Sequence, residues 1–207
     1  IVQPASNPDD QMQRVHDAAA AILARDQFLL TLGGEHSITA ALVRAMAERH
    51  GEIAVLQLDA HADLRNEYED SRYNHACVMR RVLEITPRIA EMPDRVEAVF
   101  TPRRLRSDAG WIDHVLELLG DGKVYITFDM DAMDPSEAPG VGTPEPGGLR
   151  YHEVLDLLRR VCTEREVCGA DIVETRGIGE NVVTEYLAAR LGYKIIAYTE
   201  SRRTPRR

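Results

Sequence analysis

The chain has 207 residues, 44% of them hydrophobic and 29% charged, which is the length and balance of a single domain with a sizeable core spanning residues 1–207. A formal charge of −9 excludes a general nucleic-acid binder, whose electrostatic footprint is basic, and favours encounter with cationic small molecules. No apolar run is long enough for a membrane span, and no charged segment leads into an apolar one at the start, so neither a membrane protein nor a secretory signal is expected.

Three cysteines, Cys77, Cys162 and Cys168, are too few and too scattered for a disulfide scaffold. The last two lack CxxC spacing, and reduced thiols in a cytoplasmic protein are expected. Because the first residue is Ile1 and not Met, the natural start is expected to lie upstream.

Ile1–Asp10 reads as an extended linker, and Asp10–Arg25 as a helix with Met12, Val15, Ala18, Ala19, Ile22 and Leu23 at helical spacing. A short strand, Phe28–Leu32, runs into Gly33-Gly34. A helix from Ser37 to His50 and a strand over Ile53–Leu58 follow. After a polar loop, Arg65–Asn74, a helix is expected from His75 to Leu83. Val96–Phe100 is a candidate strand, Trp111–Leu119 a helix, and Lys123–Asp129 a β-branched and aromatic strand. Asp134–Gly148 contains four glycines and four prolines and must be a long ordered loop. Helix Tyr151–Thr163, strand Val167–Val173, helix Asn181–Leu191 and a last short strand at Lys194–Tyr198 complete the chain. Strands alternating with helices predict a parallel sheet covered on both faces.

In open parallel sheets, ligands sit outside the carboxyl ends of the strands, and metal-type side chains gather there. Asp59, His61 and Asp63 follow strand Ile53–Leu58 at alternate positions. If the backbone stays extended, all three point the same way. Two carboxylates and an imidazole aimed at one point need a positive charge between them; the alternative is a loop whose polar groups cap the next helix. His36 follows the first strand, where a lone histidine more often caps a helix or fills a core. Asp129 and Asp131 end the Lys123–Asp129 strand, whereas Asp134-Pro135 is a turn initiator that needs no metal. Three strand ends supplying four carboxylates and two imidazoles suffice for two divalent ions, which typically sit about 3.5–4 Å apart and activate water. Oxygen-rich ligation without thiolate suits Mn²⁺ better than a structural Zn²⁺.

Gly33-Gly34-Glu35-His36-Ser37, Asp59-Ala60-His61-Ala62-Asp63 and Phe128-Asp129-Met130-Asp131-Ala132-Met133-Asp134-Pro135 resemble, in order and spacing, the three signatures of the ureohydrolase (arginase/agmatinase) family. Ala138–Leu149 looks like the loop that follows the third signature. The resemblance covers about Phe28 to Leu191. It implies a three-layer α/β/α sandwich with a parallel eight-stranded sheet, and hydrolysis of a guanidino compound to urea and an amine at two Mn²⁺ ions per subunit. One ion is implied at His36, Asp59, Asp63 and Asp129, the other at His61, Asp59, Asp129 and Asp131. A hydroxide held between them attacks the guanidinium carbon, and Asp63 passes a proton to the departing amine, a poor leaving group until protonated. His75 matches a loop histidine that shuttles protons; read alone, it is a helix-start histidine. Glu174 matches the carboxylate that pairs with the substrate guanidinium, a planar bidentate contact; read alone, it is a surface acid at a strand end. Asp171 reads as a support for the site or as a core acid.

Asp63-Leu64-Arg65 and the Asn74–Cys77 run resemble agmatinases and their polyamine-pathway relatives, with no arginine-specific carboxylate reader. The implied substrate is therefore agmatine, giving putrescine and urea. Aminopropylagmatine and guanidinobutyrate are the near alternatives, and a catalytically inactive homologue serving as a binding or assembly subunit is the distant one. Set against the family pattern, the N-terminal strand-helix region with its Gly/Pro-rich loop is missing and Phe100–Gly110 is short. The resemblance also implies a homo-oligomer, a trimer or hexamer. The basic tail Ser201–Arg207 is either a solvated terminus or a subunit contact.

Overall fold

The computed structural model describes residues 1–86 and 100–203. Their elements, in chain order, are α1 (Pro8–Leu23), β1 (Leu29–Leu32), α2 (Ile38–His50), β2 (Ile53–Leu58), α3 (Val78–Ile85), α4 (Pro102–Ser107), α5 (Trp111–Leu119), β3 (Lys123–Asp129), α6 (Tyr151–Glu164), β4 (Glu166–Val173) and α7 (Val183–Arg203). The strands form one parallel sheet in the order β1-β4-β3-β2. One apolar core packs α1, α2 and α3 against one face of the sheet; a second packs α5, α6 and α7 against the other. The three-layer α/β/α sandwich is therefore as expected, with four strands among the described residues where the resemblance implied eight. The strand expected at Val96–Phe100 lies, apart from Phe100, outside the described residues, as does the end of the basic tail after Arg203.

Local chemistry explains most boundaries. The first helix starts at Pro8, not Asp10, because Asn7 caps it by accepting from the Asp10 amide and Pro8 occupies the first turn, where its missing N–H costs nothing. Its buried residues, Met12, Val15, Ala19 and Leu23, form one stripe. The helix expected at His75–Leu83 begins as a 3₁₀ turn over His75–Cys77, capped by the Asn74 side chain, and continues as α3.

The C-terminal segment departs from expectation. The strand expected at Lys194–Tyr198 is absent, and one continuous helix runs through it. Leu191, Ile195 and Thr199 are buried at four-residue spacing while Ile196 is 43% exposed, a helical stripe that a short apolar window had disguised as a strand. Gly192 lets this helix lie against the sheet: a Cβ there would meet Leu30 at 3.1 Å and Ile172 at 3.4 Å.

On β3, Val124, Ile126 and Phe128 face the α5–α7 core, leaving Tyr125 and Thr127 on the α2 side, where both are fully buried. Pairing with β4 shifts by one residue: Val124 opposes Val167, but Tyr125 opposes Gly169. The bulge at Cys168 resets the side-chain alternation of β4 and sets Asp171 opposite Thr127, beneath α2. That register builds the floor of the site described next.

Candidate metal centre

The carboxyl ends of β1, β2, β3 and β4 deliver His36, Asp59, Asp129 and Glu174 to one place. After β1, the Gly33 amide donates to the Ile172 carbonyl and the Glu174 amide to the Gly34 carbonyl, so the glycine turn is stitched to the end of β4. His36 lies fully buried at this point. Its Nδ1 faces Asp59 Oδ2 at 3.2 Å, Asp63 Oδ2 at 3.3 Å and Asp129 Oδ2 at 3.3 Å. A second cluster adjoins it: His61 Nδ1 lies 3.0 Å from Asp131 Oδ2 and 3.6 Å from Asp59 Oδ1. Asp59 thus turns one oxygen to each histidine.

The backbone route to this convergence is not the expected one. β2 ends at Leu58, and Asp63 has φ = +51°, so period-two alternation does not carry Asp59, His61 and Asp63 to one side. A folded loop does. The Asp59 carboxylate accepts from the His61 amide at 2.7 Å and from Gln57 Nε2 at 2.8 Å. The Asp63 carbonyl accepts amides of the first α3 turn, Met79 at 3.0 Å and Arg80 at 3.3 Å. Left-handed backbone at a non-glycine residue stores strain of the kind that clusters at functional sites. Likewise Asp131 sits in a 3₁₀ turn, Met130–Ala132, not on the strand, with its amide bonded to Asp129 Oδ1. Asp131 in turn accepts from the Ala60 amide and from the Thr143 hydroxyl of the Gly/Pro-rich loop.

Within each of two trios, His36/Asp59/Asp129 and Asp59/His61/Asp131, one ligand atom per residue lies within 4.8 Å of the others. Asp63 reaches His36 but stands outside both trios, and Asp129 belongs only to the first. The His36 Nδ1 is buried and has no aligned hydrogen-bond partner, although three carboxylate oxygens surround it. Donors about 2.1 Å from a common octahedral ion lie about 3 Å apart, so this orphaned nitrogen and its oxygens fit a shared divalent cation.

The electrostatics of the site agree. Burial, with the negative charge of Asp59 and Asp131 nearby, raises Asp129 to about 7 against the opposing pull of His36, and burial foremost raises Asp131. Burial works against the charged form of Asp59, yet His36 holds this carboxyl below its usual value. Burial by itself lowers His36, but the carboxylates of Asp129, Asp59 and Asp63 lift it well above an ordinary imidazole. His61 is likewise raised: burial opposes it, and Asp131 and Asp59 outweigh that. Carboxylates pressed together and imidazoles pushed toward protonation describe a pocket short of positive charge.

The other expected residues lie around the rim. Glu174, at φ = +60°, accepts from the His36 amide through Oε1 at 2.8 Å, and burial raises its carboxyl. His75 Nδ1 lies 3.3 Å from Glu35 Oε1 and its ring meets Tyr68 edge-on. Arg65 stacks over Tyr68, 4.7 Å from the ring centroid. Asp134 is a turn residue as expected, accepting from the amides of Ser136 and Gly147. Thr127, Tyr125, Thr39 and Thr143 were missed. Thr127 carried a signal, since it precedes Asp129 by two on a strand and so shares its face; an acid inside the apolar run of β4 marked Asp171.

Fold and geometry together give an α/β/α sandwich whose strand ends bring together two side-chain clusters that could hold metal ions. Residues 1–197 match the Arginase family, and the chain belongs to that family, whose members hydrolyse C–N bonds. Among curated proteins it is 38% identical to an N(1)-aminopropylagmatine ureohydrolase of Synechocystis sp., over 94% of this chain and 68% of that protein. Among solved structures it resembles the proclavaminate amidino hydrolase of Streptomyces clavuligerus (TM-score 0.88, 29% identity, 96% of this chain and 72% of that one). It also resembles the agmatine ureohydrolase of Thermoplasma volcanium (TM-score 0.82, 32% identity, 96% and 71%).

Proposed function

We propose that this chain hydrolyses a cationic guanidinoalkylamine to urea and an amine at two Mn²⁺ ions, one held by His36, Asp59, Asp63 and Asp129, the other by His61, Asp59, Asp129 and Asp131. The observation that carries this reading is Asp59, which presents one oxygen to His36 and the other to His61. When bound, a pair of divalent ions supplies Lewis acidity and makes hydroxide available from water at neutral pH. The donor set, four carboxylates and two imidazoles without a thiolate, suits Mn²⁺.

The chain's own groups do the rest. The Glu174 carboxylate, anchored by the His36 amide, pairs with the guanidinium and sets its carbon over the acids. Asp63 takes the proton that the attacking oxygen gives up and passes it to the amine nitrogen as the C–N bond breaks, so that the amine leaves neutral and urea remains. His75, backed by Glu35 and partly open to solvent, carries protons between the site and water. The net negative charge of the chain favours arrival of a cation.

The substrate is a guanidino compound of polyamine biosynthesis. The sequence at Asp63-Leu64-Arg65 favours agmatine, which would yield putrescine, and likeness to an agmatine ureohydrolase supports it. Likeness to an N(1)-aminopropylagmatine ureohydrolase at 38% identity gives aminopropylagmatine the stronger support. Residues 1–207 act as one ureohydrolase domain. Its buried, unpaired Cys77, Cys162 and Cys168 suit the reducing cytoplasm. Exposed Val183, Tyr186 and Tyr193 on α7 suit a homo-oligomer. The test is urea release from aminopropylagmatine, agmatine, guanidinobutyrate and arginine after Mn²⁺ loading. Turnover is expected on the first two and lost in His61→Asn. Release of urea from arginine alone, or full activity in His61→Asn, would overturn the proposal.

A further inference from the structure

Below His36, on the side away from the clustered carboxylates, lies a polar group sealed inside the protein. Asp171 is fully buried in the middle of an apolar strand. Three hydroxyls donate to it: Thr127 to Oδ1 at 2.8 Å, Thr39 to Oδ2 at 2.9 Å and Tyr125 to Oδ2 at 2.8 Å. These come from β3 and α2, and all three are themselves fully buried. Such a network is costly to bury unless complete, and here it leads to one other group: Thr127 Oγ1 lies 2.8 Å from His36 Nε2.

The direction of these bonds matters. Thr127 has one hydroxyl hydrogen, and Asp171 takes it. The same oxygen can then only accept from His36, which fixes a hydrogen on Nε2 and makes Nδ1 the nitrogen that must be free of a proton when a cation binds. Nδ1 is the orphaned atom facing Asp59, Asp63 and Asp129. Among the described residues no comparable chain backs His61, whose side chain is 36% exposed.

We infer that Asp171 and Thr127 are positioning residues that hold His36 in the one tautomer able to bind a cation through Nδ1, so that the His36 half of the centre is organised before any ion arrives. This rests on the two-ion reading above. Outer partners of a ligating histidine typically govern metal affinity by about 10–100-fold. Asp171→Asn should act through polarity. With Thr39 and Tyr125 both donating to the amide oxygen, the amide N–H₂ turns to Thr127, whose hydrogen is then free to go to His36 Nε2 and push the ring hydrogen onto Nδ1.

The experiment is Mn²⁺ binding by calorimetry, with electron paramagnetic resonance of the bound ions, on the unsubstituted chain and on Thr127→Val, Thr127→Ser and Asp171→Asn. Circular dichroism selects folded variants. The unsubstituted chain should bind two ions with an exchange-coupled signal. Thr127→Val, nearly isosteric, and Asp171→Asn should each weaken one ion about 10–100-fold and give the six-line signal of an isolated ion, while Thr127→Ser restores the coupled pair. If Asp171→Asn does not fold, the Thr127 pair decides. Folded Thr127→Val that binds both ions as tightly as the unsubstituted chain, or loses both equally, overturns the inference alone. An unsubstituted chain that binds no pair of ions overturns the functional reading and the inference with it.

Discussion

The His36 trio and the His61 trio share Asp59 but are made of different material. His36 sits at the end of a short glycine turn pinned to β4, fully buried, with a hydroxyl-carboxylate network behind it. His61 sits in a folded loop, and its side chain is 36% exposed while its partner Asp131 stays buried. The first half is fixed by the sheet; the second is fixed by hydrogen bonds within loops, among them Ala60 to Asp131 and Thr143 to Asp131. A two-ion hydrolase needs both properties, because ligands must be preorganised to hold charge while one side stays open for the substrate.

Removing the shared element should have the largest effect. In Asp59→Ala both trios lose a ligand, and urea release should fall about a thousandfold or more, equivalent to about 4 kcal/mol in the barrier. Steady-state assays at saturating Mn²⁺ check this; retention of a tenth of the activity would mean that the halves do not share Asp59.

Next comes pH. In the metal-free chain, Asp129 is raised to about 7 and His36 is raised well above its ordinary value, and both must lose protons to bind a cation. A raised group contributes stability that is complete below its unfolded pKa and is lost as the pH climbs through the folded one. For Asp129 that window runs from 3.8 to about 7, and for His36 it opens at 6.5. On these two groups the metal-free chain should therefore lose stability between pH 5.5 and pH 8 while Mn²⁺ affinity rises. The gain in Tm on adding Mn²⁺ should be larger at pH 8 than at pH 5.5. A gain independent of pH would detach Asp129 and His36 from the cation.

The smallest effect is expected just outside the comparison. Asp134, three residues beyond Asp131, holds a turn through Ser136 and Gly147 and touches neither histidine. Asp134→Ala should cost about 1 kcal/mol of stability, read from denaturant unfolding, with both ions bound as before. A lost ion would show that the turn and the centre are one unit.

The strand-helix alternation and the six candidate ligands were legible in the chain, since strands carry period two, helices 3.6, and metal-type side chains at strand ends are chemically conspicuous. Lys194–Tyr198 was misread because five apolar-rich residues fit either period, and only packing of Leu191, Ile195 and Thr199 against the body of the protein chooses the helix. The Asp59–Asp63 segment was expected to converge along an extended strand end and converges instead through a folded loop, because a left-handed residue at Asp63 leaves no mark in an aspartate's identity.

What the sequence determined by itself was therefore the layered α/β plan and the identity of the groups at its strand ends. Tertiary structure alone decided that Asp59 faces both histidines and that Asp171 stands under His36. Those facts depend on a one-residue bulge in β4 and on loop hydrogen bonds between segments far apart in the chain, and neither is encoded in any local pattern.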